Sequence, residues 1–234
     1  MTVLTAKQAS DALSSICAAL SDVGIIQDIG VSALSRIAGE LKGFGNSHTW
    51  NYEVDRGLPI LFSETVDTNK NPIVPKVVAE MVAVDQSDGV LTAFDALCVA
   101  IEFDHVYDNR PTPRWHLDMA NQKEPGNWQP GPMTHLQYGG HLHGDRTLDC
   151  FLKTPRWCHP PMEVGLLCEI VAANFYEAEW NELREMPNWN TAICTLQKIC
   201  LHDYATRLAS TLNQSSKSFL HTMWAQDWAD EAAS

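Results

Sequence analysis

Between Trp50 and about Cys150 the apolar residues come in short runs cut by turn formers, whereas on both sides of that stretch they recur at helical spacing. Ile60-Leu61-Phe62, Val77 to Val84, Ala96 to His105, Arg114 to Met119 and Thr134 to Tyr138 read as strands. Asp67-Thr-Asn-Lys-Asn-Pro72, Asp85-Gln-Ser-Asp-Gly89, Asp108-Asn-Arg-Pro111 and Gly139-Gly140 read as the turns between them. Links this short favour an antiparallel meander, because parallel neighbours need long crossovers. The segment 121–132, rich in Pro and Gly and carrying Trp128, reads as a long surface loop.

The flanks are helical. Thr5-Ala-Lys-Gln8 is a capping box ahead of Ala9, Leu13, Ile16 and Leu20. Val31, Leu34, Ile37 and Leu41 form a second apolar stripe that stops at Gly43-Phe44-Gly45-Asn46. After Pro160-Pro161, with Pro161 suited to a first helical turn, Leu166, Leu167, Ile170, Val171 and Phe175 make a wide apolar face that Pro187 ends. Trp189, Ile193, Leu196, Cys200 and Tyr204 continue toward Leu212, and a short helix through Leu220, Trp224 and Trp228 closes the chain. The expectation is an α+β fold, an antiparallel sheet of about four to six strands flanked by helices. Its parts are a helical segment 1–45, a sheet region 46–160 and C-terminal helices 161–234, in one compact domain.

With 45% hydrophobic and 19% charged residues over 234 positions, the chain can bury a sizeable core. Its formal charge of −13 argues against nucleic acid, whose binders present basic surface to the phosphates. A basic groove would have only Arg110, Arg114, Arg146, Lys153 and Arg156 nearby. The seven cysteines form no C-x-x-C pair, and Cys17, Cys98, Cys168, Cys194 and Cys200 sit in apolar stretches as small buried hydrophobes. No signal peptide or membrane-spanning run is evident, so the expectation is a cytoplasmic protein.

Six of the nine histidines lie between His105 and His159. His116 and Asp118 share one face if their segment is a strand, as do His141 and His143, and His135 sits on the next strand. Side by side, these groups form the His/Asp ligand set that zinc and non-haem iron accept. The plain alternative is a set of surface or structural histidines. Cys150, with His143 and Arg146 close in sequence, and Cys158, beside His159, are the candidate nucleophiles, weighed against half-buried strand cysteines. Trp115, Trp128, Tyr138 and Trp157 make a third candidate, an aromatic surface for a partner protein. The carboxylates Glu177, Glu179, Glu182 and Glu185 read as solvated helix faces. The chain contains no phosphate-binding glycine loop, no H-E-x-x-H and no G-x-S-x-G.

Two resemblances attach to these residues. Pro132-Met-Thr-His135-Leu136-Gln-Tyr-Gly139, Cys150, Pro160-Pro161 and the helix end Ala173-Asn174-Phe175-Tyr176 resemble an uncharacterised prokaryotic family with an H-L-x-x-G strand and an N-F-Y helix end. Arg114-Trp115-His116-Leu117-Asp118 resembles that family's aromatic strand, so the likeness spans about residues 95–180. Such families often travel with mobile elements and defence islands, which implies an antiphage or accessory setting. Gly144-Asp145-Arg146-Thr147-Leu148-Asp149, with Trp157 and Pro160, is similar to the active-site segment of ubiquitin-conjugating enzymes. There Thr147 occupies the cysteine's place and Cys150 lies three residues on.

The sequence therefore supports one leading expectation, recognition of a protein partner by an accessory component of a prokaryotic mobile-element or defence system, which needs no cofactor. Two alternatives stand beside it. One is a conjugation-type thiol enzyme using Cys150 with His143. The other is a His/Asp metal-dependent hydrolase, with zinc held by His116, Asp118, His135, His141 and His143.

Overall fold

In a computed structural model the capping box forms as expected. Thr5 Oγ1 accepts from the Gln8 backbone N–H at 3.2 Å, Gln8 Oε1 accepts from the Thr5 N–H at 2.9 Å, and helix α1 runs Ala6–Asp22. The structure describes residues 4–87, 92–106, 113–124, 126–139, 155–213 and 216–232. Helix α2 (Asp28–Phe44) ends at Gly45, whose φ of 61° a side chain would resist.

The strands follow in chain order: β1 (Thr49–Val54), β2 (Ile60–Leu61), β3 (Thr65–Val66), β4 (Pro72–Asp85), β5 (Phe94–His105), β6 (Arg114–Met119), β7 (Gln122–Glu124), β8 (Asn127–Trp128), β9 (Thr134–Tyr138) and β10 (Trp157–Cys158). The main sheet runs β1-β4-β5-β6-β9-β10, with β2 and β3 also pairing β4, and every pairing is antiparallel. The chain is thus α+β, with helices α3 (Val164–Phe175), α4 (Glu177–Leu183), α5 (Pro187–Leu212), α6 (Phe219–Met223) and α7 (Ala225–Ala232) after the sheet. Among the described residues no helix is long and apolar enough to cross a membrane.

Alternation divides the sheet into two chemically different faces. Val99, Ile101 and Phe103 of β5, Trp115 and Leu117 of β6 and Leu136 of β9 point toward α3. Their neighbours in sequence, Cys98, Ala100, Glu102, Arg114, His116, Asp118 and His135, point the other way, in register across the three strands. The apolar face joins α1, α2, α3 and α5 in a continuous core that includes Leu13, Ile37, Trp50, Leu117, Val171 and Trp189.

Several expectations are corrected. The segment 121–132 is no open loop: β7 and β8 pair as a small hairpin, and the half-buried Trp128 packs against the core. Its backbone N–H donates to Gln226 Oε1 at 3.3 Å, tying the hairpin to α7. Helix α3 starts at Val164 rather than at Pro161, because the Glu163 carboxylate accepts the Leu166 N–H at 3.1 Å and serves as its N-cap. The closing helix is broken at Trp224, which takes an extended conformation and bridges Pro132. Met133 N–H donates to the Met223 carbonyl at 2.8 Å and Ala225 N–H to that of Gly131 at 2.9 Å, a strand-like contact that competes with helix. Cys17, Cys168 and Cys200 are buried, but Cys194 is exposed and Cys98 only half-buried, since it stands on the polar face of β5.

Candidate metal centre

Strand β6 reads Arg114-Trp-His116-Leu-Asp118-Met119, and a period of two sends His116 and Asp118 to the polar face together. The β6–β9 register then sets Asp118 opposite His135 and His116 opposite Gln137. One ligand atom from each of His116, Asp118 and His135 lies within 4.8 Å of the other two. The two imidazoles are buried, His135 at 2% exposure, while the Asp118 side chain keeps 27% and marks the open side of the cluster.

Hydrogen bonding fixes the His116 ring. Its Nδ1 lies 2.7 Å from the Gly139 carbonyl, and because a carbonyl only accepts, Nδ1 carries the hydrogen. Gly139 reaches that position by leaving β9 at a φ of 79°, with its own N–H donated to the Arg114 carbonyl at 2.8 Å. In the neutral ring the lone pair is then on Nε2, 3.1 Å from Asp118 Oδ2, so two acceptors face each other. A cation between them removes the conflict. Ligands about 2.0–2.1 Å from a tetrahedral ion stand about 3.3 Å apart, so this pair is already at ligand spacing. A carbonyl holding the far nitrogen of a ligating imidazole is the usual support of a metal-bound histidine.

The other two groups are also set up as ligands. Burial pushes the His135 imidazole down to about 4 against the opposing pull of the Asp118 charge, so the ring is neutral at pH 7. Burial alone would raise Asp118, but a proton on His116 Nε2, through its hydrogen bond and charge, outweighs it with smaller help from Cys98 and His135 and holds the carboxyl below its ordinary value; a metal ion in that proton's place would favour the carboxylate in the same way. Two buried atoms of the cluster, Asp118 Oδ1 and His135 Nδ1, have no hydrogen-bond partner among the described residues. An orphaned buried polar atom costs about 1–3 kcal/mol. A proton on His116 Nε2 would leave both unsatisfied, whereas a metal ion held by all three residues would engage the two side chains that carry them.

Along the same face the charges are matched. Arg114 lies 3.5 Å from both Glu102 and Glu80, Arg56 reaches the same two carboxylates at 3.1 and 3.3 Å, and Lys76 meets Asp104 at 2.7 Å. Glu80 Oε2 accepts from the Cys98 thiol at 3.6 Å, and Cys98 is the cross-strand partner of Asp118. The sequence reading placed Cys98 among buried hydrophobes. Its alternation with Val99, Ile101 and Phe103, and its phase with Glu102 and Asp104, was the signal that it faces the polar side.

The remaining sequence candidates divide. His141, His143 and Cys150 lie outside the described residues. Cys158 stands opposite His135, with its sulfur 3.4 Å from the Tyr204 hydroxyl and its thiol pushed up by burial, an environment that does not activate a nucleophile. Trp115 and Tyr138 meet edge-on with ring centroids 4.9 Å apart at 44% and 41% exposure, on the face opposite the metal cluster. Trp157, at 66%, stands across from Leu136 on that face. A cavity of about 310 Å³ opens beside them, lined by Trp115, Leu117, Leu136, Met162, Ile170 and Phe175 among others. Trp128 does not join this patch, being packed against the core from its own hairpin.

No protein-family model matches the chain, and neither a curated protein nor a solved structure matches it. The functional reading therefore rests on the geometry alone.

Proposed function

We propose that this protein is a metal-dependent hydrolase whose centre is a divalent transition ion, zinc first among them, held by His116, Asp118 and His135. The observation that carries the reading is the convergence of three ligand side chains from two strands on one point. Two of those side chains carry buried atoms left without a partner among the described residues. Three protein ligands with a further position open is the arrangement of catalytic rather than structural zinc. An ion so held would supply Lewis acidity and a water acidified to a pKa of about 7 for hydrolysis of a carbonyl or phosphoryl substrate. Such a substrate would approach from the Asp118 side, where the cluster has its exposure.

Metal analysis of freshly purified protein tests this directly. The expected result is close to one zinc or iron per chain, retained through dialysis and lost in His135→Ala. Substoichiometric metal in the native protein, together with no rise in melting temperature on adding zinc to the metal-free chain, overturns the reading.

Trp115, Tyr138 and Trp157 favour a second role for the opposite face. Three large rings exposed on one side of one sheet form a surface that a partner protein would cover, as the accessory component expected from the sequence would require.

A further inference from the structure

Helix α3 packs on β4 and β5. Beyond it the apolar face of the sheet continues onto β6 and β9, and the cavity of about 310 Å³ opens there. Val99, Leu117 and Leu167, at 1%, 2% and 4% exposure, form its floor, while Trp115 at 44% and the exposed Asn174 mark its mouth. Leu167, Ile170 and Asn174 line it together because steps of three and four residues return to one face of α3.

The chemistry of this cavity is narrow. Among the described residues no lysine, arginine, aspartate or glutamate lines it, so an ion entering would lose its hydration with no countercharge to replace it. Besides the Trp115 indole, the polar side chains on its wall are His159 and Asn174. His159 Nδ1 lies 2.8 Å from the Pro160 carbonyl and so carries the hydrogen, which leaves the neutral ring a lone pair on Nε2. Asn174 Nδ2 donates to the Ile170 carbonyl at 2.8 Å, and its Oδ1 keeps its acceptor capacity. Both side chains thus have an acceptor to offer to an incoming hydroxyl or N–H. An apolar cavity of about 150 Å³ takes up benzene, so the larger volume here suits a molecule of about two fused rings. Mostly apolar walls with a few polar groups that fix orientation are the usual form of a small-molecule pocket.

We propose that this cavity is a binding site for a small neutral aromatic molecule carrying a hydroxyl or N–H donor, of the naphthol or indole class. The site does not depend on the metal cluster, which lies on the opposite face of the same strands.

Naphthol fluorescence at pH 7 measures binding to the full chain, with naphthoate, the same rings bearing a carboxylate, as the charged counterpart. The expected result is saturable binding of one naphthol per chain, with naphthoate weaker by about tenfold or more. Ile170→Trp, which fills the cavity from α3, should lower naphthol affinity by at least about tenfold while the melting temperature is kept. Met162→Trp fills the cavity from the segment before α3 and replaces that variant if it fails to fold. The double variant His159→Phe/Asn174→Leu should weaken naphthol by about 3 to 10-fold through the lost acceptors. No saturable naphthol binding to the wild type overturns the proposal and shows the cavity closed by its own chain or reserved for a macromolecule. Undiminished binding in the cavity-filling variant places naphthol elsewhere and overturns it as well. Equal affinity for naphthoate, or full naphthol affinity in the double variant, removes the ligand class and with it the proposal.

Discussion

Lowering the pH of the metal-free protein from 7 to 4 tests the state of His135 without assuming any substrate. Burial depresses the imidazole from its ordinary 6.5 to about 4. Between those values the unfolded chain binds a proton that the folded chain refuses. The stability contributed by the neutral ring is therefore complete above pH 6.5 and is lost as pH falls through about 4. At about 1.4 kcal/mol per pH unit, the gap amounts to about 3 kcal/mol, a large share of the 5–15 kcal/mol that holds a typical domain together. Urea midpoints at pH 7, 6, 5 and 4.5 measure the slope, and His135→Asn, which does not titrate, isolates this ring from every other group. The wild type should lose stability over the window more steeply than the variant by up to one proton's worth, about 1.4 kcal/mol per pH unit. Parallel slopes in the two proteins, or an imidazole titration near 6.5 in the folded wild type, refute the argument that His135 is held neutral as a ligand.

Four further outcomes are open to measurement. Gly139→Ala should strain a backbone that sits at φ 79° by about 1–2 kcal/mol and shift the carbonyl that holds His116, so zinc affinity and melting temperature fall together. Trp128→Ala should lower stability by about 1–2 kcal/mol through lost packing of a half-buried ring, read as a shift in the urea midpoint. Glu163→Gln should match or exceed wild-type stability at pH 8 and fall behind toward pH 4. The sign follows because burial raises the Glu163 carboxyl, so its protonated form is the one the fold favours and that contribution is lost as pH rises. Trp157→Ala should leave the melting temperature within about 1 °C, because the ring is 66% exposed, while reducing capture of any protein that binds the aromatic face.

What the sequence made legible was whatever depends on local pattern. The Thr5–Gln8 box, the strand alternation of Arg114 to Met119 and the return to helical spacing after Pro161 each have a short-range cause, and each appears close to where the pattern put it. The pairing of His116 with Asp118 was legible for the same reason. Their meeting with His135 was open in the sequence, since it needs the register that sets Asp118 opposite His135, and that register is a property of the whole meander. Gly139 read as a turn, but its carbonyl acting on His116 is a contact between strands that no local pattern encodes. Trp128 misled because its Pro and Gly neighbours signal a turn without saying which way the turn folds. Here it folds back onto α7, where Gln226 receives it.

A buried row of polar groups on a sheet is costly unless each member is satisfied, and that rule distinguishes a site from a poorly packed face. Five buried side-chain atoms lack hydrogen-bond partners among the described residues: His105 Nδ1, Arg114 Nε, Asp118 Oδ1, His135 Nδ1 and Trp189 Nε1. Arg114 Nε still has the Glu102 charge 3.5 Å away, and Trp189 Nε1 and His105 Nδ1 are single atoms outside the ligand cluster. Only at Asp118 and His135 do two orphans belong to side chains that face each other across paired strands. The ring is kept neutral and the carboxyl ionised, so each side chain has a lone pair to offer. A shared cation would engage both side chains, and a divalent ion would also turn the single negative charge of Asp118 into a net positive centre beside otherwise balanced ion pairs. The deficit is thus confined to one point on a face that is paired elsewhere, and its chemistry is that of a metal ligand set.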